Sequence, residues 1–295
     1  MAIFNLGSIN TDHFYRLAHL PAPGETLAAL GYDRGLGGKG ANQSVAAARA
    51  GADVRHIGAI GADGGWMLDR LAGFGVTCRD VAILSGASGH AIITIDTAGE
   101  NAIVIFPGAN RQIPEETLQR ALDAAGSGDW LILQNETALQ VEAATLAQAR
   151  GLAVAYSAAP FEAEATRAVL PYLRLLIVNE VEAAQLCSAL GVTLADLPVP
   201  HVVVTLGAKG AVWHDLEEGR ALPVPALPVV PVDTTAAGDT FAGYLLAGLA
   251  EGMAPAQAMR LASAAAALKV TRAGTADAIP ARAEVEAFLA AQPSE

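Results

Sequence analysis

One aspartate, Asp239, stands in the run DTTAAGDTF from Asp233 to Phe241, among side chains too small to keep a ligand away from the backbone. Upstream, residues 224–232 are apolar, punctuated by prolines, and read as a strand. Downstream, Phe241, Tyr244, Leu245 and Leu249 recur at helical spacing, which predicts a helix beginning near Ala236 or Ala237. The first N–H groups of a helix have no partner of their own, and with the helix dipole they hold phosphate or a developing anion. Ala236, Ala237 and Gly238 would open that backbone to a ligand, and Asp239 would lie within hydrogen-bond reach of an incoming hydroxyl. A carboxylate that takes a hydroxyl proton, next to a cradle for a moving phosphoryl group, is the minimum equipment for phosphorylating an alcohol. Taken alone, Asp239 reads equally well as an acid that complements the dipole of its first helical turn.

A second run, GLGGKGANQS from Gly35 to Ser44, is a glycine-rich turn entering a helix that carries Val45 to Ala48 and Ala50. Gly35, Gly37 and Gly40 formally satisfy a dinucleotide pattern, but residues 27–34 do not read as the buried parallel strand that pattern requires. A Walker A loop fails too, because Lys39 is followed by Gly40 where a metal-binding Ser or Thr belongs.

Elements must hold these two runs together. Between residues 110 and 215, apolar runs (130–134, 152–156, 175–178, 202–206) alternate with helical patterns (139–150, 180–190), which predicts βαβ units, a mostly parallel buried sheet and helices on both faces. Ligands on such sheets gather beyond the carboxyl ends of the strands, where Asn135, Glu136, Asn179, Glu180 and Gly207 fall. Residues 12–34 and 88–106 instead read as antiparallel strands with tight turns, able to form a small sheet over the site. The expectation is one three-layer αβα domain over residues 1–295, with these two segments as its accessory sheet. Fifty-three per cent hydrophobic residues supply an ample core. A net charge of −12 argues against nucleic acid or an anionic membrane as partner. With no charged leader and no apolar run of spanning length, cytoplasmic residence is expected. Cys78 and Cys187, far apart and without ligand-spaced companions, are expected as free thiols in the core.

Both runs resemble signatures of the ribokinase branch of the PfkB carbohydrate kinases: Gly37 to Gln43 is similar to the sugar-side signature and Asp233 to Phe241 to the nucleotide-side one. Further segments match in order along essentially the whole chain: Leu6 to Asp12, Gly58 to Gly64, Asn179 to Glu182, Thr205 to Gly210 and Thr271 to Gly274. The resemblance implies a ribokinase-like fold in which the accessory sheet is a lid over the sugar and, in many relatives, pairs with its twin in a homodimer. It also implies an ATP-dependent transfer to the primary hydroxyl of a pentose, D-ribose at O5 above others.

Asp12 can accept two hydroxyl protons and Asn42 can donate or accept, as a sugar pocket needs. Asn10, Gly37, Gly38, Lys39 and Glu136 complete the resemblance to a ribose site. Asn10 and Asp12 also read as turn formers, Asn42 as a cap, Glu136 as the cap of a helix from Thr137, and Lys39 as a solvated charge. Asp239 would be the base and the N–H groups of Ala236 to Asp239 the anion hole. Asn179, Thr205, Gly207, Gly210, Gly238 and Ser263 resemble the nucleotide site. Glu182 and Asn179 resemble the residues holding the waters of a Mg2+ ion on ATP, although the sequence alone favours reading both as a solvated first helical turn. Asp233, Thr235 and Gly274 resemble the loops that hold a potassium ion. Departures from the pattern occur at Ser157, where an amide is expected, and at Gly89-His90; together with His13, Phe14 and Phe106 these leave other acceptors open: a ketohexose, a deoxyribose or a nucleoside. A non-catalytic sugar sensor is the alternative of a different class.

Overall fold

Short apolar runs alternating with amphipathic ones build the layers of this molecule, and the computed structural model describes residues 1–292. In chain order the first half forms β1 (Ala2–Leu6), β2 (Asn10–Arg16), β3 (Gly31–Gly37), α1 (Lys39–Arg49), β4 (Asp53–Gly61), α2 (Gly65–Gly73), β5 (Thr77–Leu84), β6 (Gly89–Ile95) and β7 (Asn101–Phe106). Next come α3 (Glu115–Asp123), β8 (Trp130–Gln134), α4 (Gln140–Ala149), β9 (Ala153–Ser157), α5 (Ala163–Val169), β10 (Leu175–Asn179) and α6 (Glu180–Leu190). The chain finishes with β11 (His201–Thr205), β12 (Ala211–Asp215), β13 (Arg220–Val224), α7 (Ala237–Ala250), α8 (Pro255–Val270) and α9 (Arg282–Ala290).

Nine strands make the main sheet, in the order β13-β12-β11-β10-β9-β8-β1-β4-β5. From β11 to β5 all pairs run parallel, and β12 and β13 close one edge antiparallel. Successive residues of the central strands point to opposite faces, so Ile3, Trp130 and Ile132 pack with Val45, Met67, Leu245 and Met259, whereas Phe4, Leu6 and Leu131 pack with Leu118, Ala143 and Leu186. Helices therefore cover both faces, as the alternation predicts.

The second sheet has the order β3-β2-β6-β7. Segments 88–106 form the antiparallel hairpin β6–β7, closed by the Gly99 N–H on the Asp96 carbonyl (3.1 Å). The segments meet differently from the expectation of antiparallel strands throughout: the central pair β2–β6 is parallel, because β6 arrives from β5 of the main sheet rather than by a turn from β2. A second difference lies before α7. Residues 225–232 are not a strand; Pro225, Pro228 and Pro231 lack the N–H groups a ladder needs, and Val230 and Val232 are exposed. Both cysteines are free thiols, but half-buried rather than in the core. No helix among the described residues is long and apolar enough to cross a membrane.

Candidate active site

The glycine run is the end of β3 and the start of α1. The strand that leads into it pairs antiparallel with β2 at the sheet edge and is exposed at Tyr32 to Arg34, not buried and parallel, which disposes of the dinucleotide reading on geometric grounds. Gly38 takes φ 91° as the N-cap residue of α1, beneath the Ser8 carbonyl. A side chain on Gly37 would overlap the Asp12 carboxylate, so this glycine makes the room in which Asp12 lies. Glu136 caps no helix, since α4 starts only at Gln140. Its carboxylate instead accepts the Lys39 N–H (3.0 Å) and the Ser8 hydroxyl, fastening the β8 end to the glycine turn. Asn10 is fixed by Asn110, whose Nδ2 donates to Asn10 Oδ1 (2.8 Å) while its Oδ1 accepts the Ile9 N–H (2.9 Å).

Asn42 is no cap either. It lies inside α1 and donates from Nδ2 to Asp239 Oδ2 (3.0 Å), while Gln43 Nε2 donates to Asp239 Oδ1 (3.0 Å). Asp239 is buried at 8 % exposure, and two helices brought together around Gly243 orient its carboxylate. Asn42 Oδ1 is buried with no partner, an acceptor free for a ligand hydroxyl. Behind Gln43 runs a polar chain that the sequence did not announce. Gln134 Nε2 donates to Gln43 Oε1 (2.9 Å) and Asn5 Oδ1 (3.0 Å), Asn5 Nδ2 donates to Ser44 Oγ (2.8 Å), and Ser44 Oγ meets His56 Nδ1 (2.8 Å). Burial brings His56 down to about 4. The sequence signal for this polar chain is confined to two members, Asn5 and Gln134, each the lone polar residue of an otherwise apolar strand.

Asp239 opens α7 beside Ala236, which takes the left-handed conformation (φ 59°) despite its Cβ. The Ala237 N–H, one of the expected anion-hole donors, is spent on the Thr234 carbonyl (3.2 Å). Of the four expected donors, those of Ala236, Gly238 and Asp239 are left at this helix start. Burial, then the charges of Glu136 and Asp239, push Asp12 up from its ordinary value to about 7. Lys39 is not a solvated charge: the Asp239 carboxylate above all, then Glu136 and Glu182, hold its ammonium above the usual lysine range against the cost of burial. The site is thus acidic, with one cation at its centre.

His13 and His90 stand on the face of the small sheet opposite Asp12, since neighbouring residues of a strand alternate and His90 lies beside Thr11. There they form a ring cluster with Tyr32 and Phe106. Phe14, two residues from Asp12, shares the Asp12 face.

On the other side of the α7 start lies a cavity of about 580 Å³, within the range of small-molecule sites. Thr205, Gly207, Gly210, Gly238 and Ser263 line it as expected, and so do Leu227, Pro228 and Val229 from the proline-rich stretch that reads as a strand in the sequence. Asn179 is not at this cavity. It is exposed, and with Glu182 it forms a capping box: Asn179 Oδ1 accepts the Glu182 N–H (2.9 Å) and Glu182 accepts the Asn179 N–H (2.8 Å). Glu182 still faces Lys39, and burial raises its carboxyl. Asp233 accepts the N–H groups of Thr235 (2.9 Å) and Gly274 (2.8 Å), so the three residues expected around a potassium ion do converge. At that convergence sits the ammonium of Lys269, a residue sequence reasoning passed over because it ends an alanine-rich helix.

Comparison with known proteins agrees with this geometry. The model of the pfkB family carbohydrate kinases matches residues 3–282. The chain is 36 % identical to a ribokinase of Haemophilus influenzae over 96 % of this chain and 97 % of that protein. Among solved structures, a ribokinase of Thermotoga maritima superposes with a TM-score of 0.87 at 34 % identity, covering 98 % of this chain and 99 % of that one. An Arabidopsis thaliana ribokinase complexed with ribose and ATP does so with a TM-score of 0.85 at 26 % identity, again covering 98 % and 99 %. Sequence signatures, layers and family match converge on one conclusion: this chain belongs to the pfkB family of carbohydrate kinases, phosphotransferases that act on an alcohol group.

Proposed function

We propose that this protein transfers the γ-phosphoryl group of ATP to the primary hydroxyl of D-ribose, giving D-ribose 5-phosphate. The observation that carries the reading is the Asp239 carboxylate, held by Asn42 and Gln43 from the glycine-run helix at a helix start that also borders the 580 Å³ cavity. Asp12, Asn10, Asn42 and Glu136, around the space opened by Gly37 and Gly38, hold the sugar hydroxyls. Thr205, Gly207, Gly210 and Ser263 wall the nucleotide. Asp239 takes the hydroxyl proton as the sugar oxygen forms its bond to phosphorus and the bond to the ADP oxygen breaks. The N–H groups of Ala236, Gly238 and Asp239, with Lys39, stabilise the charge that builds on the phosphoryl oxygens.

Among the described residues no cluster of three or more His, Cys, Asp or Glu could cage a metal. Mg2+ keeps its waters and rides on substrate phosphates, needing one or two carboxylates, and half-buried Glu182 facing Lys39 fits that need. Bound there, Mg2+ would neutralise phosphate charge. The potassium ion implied by Asp233, Thr235 and Gly274 fits less well, because Lys269 already places a positive charge among them.

Segments 12–34 and 88–106 act as a lid over the sugar and as the seat of a homodimer. Supporting this, all six residues of β7 are exposed, including Ile103, Val104, Ile105 and Phe106, and an uncovered apolar edge strand invites pairing. Use of ATP supports a cytoplasmic enzyme. The test is ADP release by the purified protein with Mg2+ across D-ribose, 2-deoxyribose, ketohexoses and nucleosides. The expected result is the highest kcat/KM for D-ribose. Preference for another acceptor would overturn the substrate and keep the chemistry; silence across the panel would favour the sugar sensor.

A further inference from the structure

Lys269 is fully buried, at 0 % exposure, in the last turn of α8. A desolvated ammonium is unfavourable unless something around it answers its charge and its hydrogen bonds. Nothing in the apolar packing of α8 calls for one. The answer comes from two loops: Nζ donates to the Asp233 carbonyl (3.1 Å) and the Arg272 carbonyl (3.3 Å), and lies 3.9 Å from Asp233 Oδ2. The same Asp233 carboxylate accepts the Gly274 N–H, so ammonium, carboxylate and carbonyls close a small cage between the 233–236 loop and the 272–274 loop. That first loop runs directly into Ala236, Gly238 and Asp239. Backbone carbonyls turned inward around one positive charge are the donor set of a monovalent cation site, and here the charge arrives on a side chain.

We propose that Lys269 is a built-in monovalent cation: its ammonium holds the two loops together and fixes the start of α7, so this protein has no need of a potassium ion at that place. This rests on the kinase reading above. Lys269 is a positioning residue, acting on the phosphoryl group only through the loop and the Gly238 and Asp239 donors.

The test compares full-length wild type and Lys269→Met in potassium chloride and in tetramethylammonium chloride at equal ionic strength, reading both Tm without substrates and ADP release with ribose. For wild type, Tm and kcat change little, by less than about twofold in kcat, between the two salts. Lys269→Met, which removes the ammonium and keeps the apolar stem, loses about tenfold or more in kcat in tetramethylammonium, and potassium selectively raises both its Tm and its kcat. A wild-type Tm or kcat that rises selectively with potassium overturns the proposal, as does a folded Lys269→Met on which potassium has no effect. Should Lys269→Met not fold, the wild-type pair of salts decides alone. Absence of ADP release in either salt would count against the kinase reading, while the Tm comparison would still decide the role of Lys269.

Discussion

Asp239 receives two amide donors and keeps lone pairs free for a hydroxyl proton. Asp239→Asn preserves the size of the side chain and removes the base. We expect kcat to fall by about a hundredfold or more with the ribose KM little changed; steady-state kinetics with wild-type turnover would reject the assignment. Asp12 gives a pH signature. Its carboxyl, pushed up to about 7 from an ordinary 3.8, binds its proton more tightly in the folded state than in the unfolded one. Stability from this group is therefore present at low pH and is lost as pH rises through that window, the full penalty applying above the folded value. Asp12→Asn carries no such penalty, so its Tm should gain on wild type between about pH 5 and pH 8, a comparison made by thermal melts without ligand. A constant difference across that range would refute the raised carboxyl. Sugar hydroxyls donate to the ionised form, so the ribose KM of wild type should also fall as pH rises through about 7.

Helices α1 and α7 carry the two halves of the site, and their separation decides whether Asn42 and Gln43 reach Asp239. Gly243 sets that separation: a Cβ there would lie 2.5 Å from Ala46 Cβ and 2.6 Å from the Gln43 carbonyl. Gly243→Val must push the helices apart. The expected result is a loss of roughly 1–3 kcal/mol in denaturant unfolding together with a lower kcat. Unchanged stability would show that α7 can shift without cost. This lever was invisible in the sequence, where Gly243 is one small residue in an apolar helix. Glu136 and Lys39 make the same point at the next turn: each reads as a local cap or a surface charge, and each is claimed by a residue more than ninety positions away.

For the whole molecule, the uncovered β7 edge is where a second copy would pair. Val104, 68 % exposed, is the place to test it. Val104→Lys should leave the fold intact and convert a dimer into a monomer by light scattering; a wild-type monomer would remove the lid pairing from the picture. The alternation of strands and helices between residues 110 and 215, the residues 130–134 strand, the 180–190 helix and the helices that follow the two glycine-containing runs were legible in the sequence. Each is fixed by periodicity, by small residues or by local capping, which act over a few residues. Asp12, Asn42 and Asp239 stood out in the sequence as candidates by residue type and by the runs they lie in, and the structure brings Asn42 against Asp239. What only the tertiary structure decided is which groups share one space: the Gln43 to His56 chain, the parallel β2–β6 pair, the proline-rich wall of the cavity, and the ammonium of Lys269 among the carbonyls of Asp233 and Arg272. Those pairings depend on desolvation and on distances between segments far apart in the chain, and neither is a property of any short stretch of sequence.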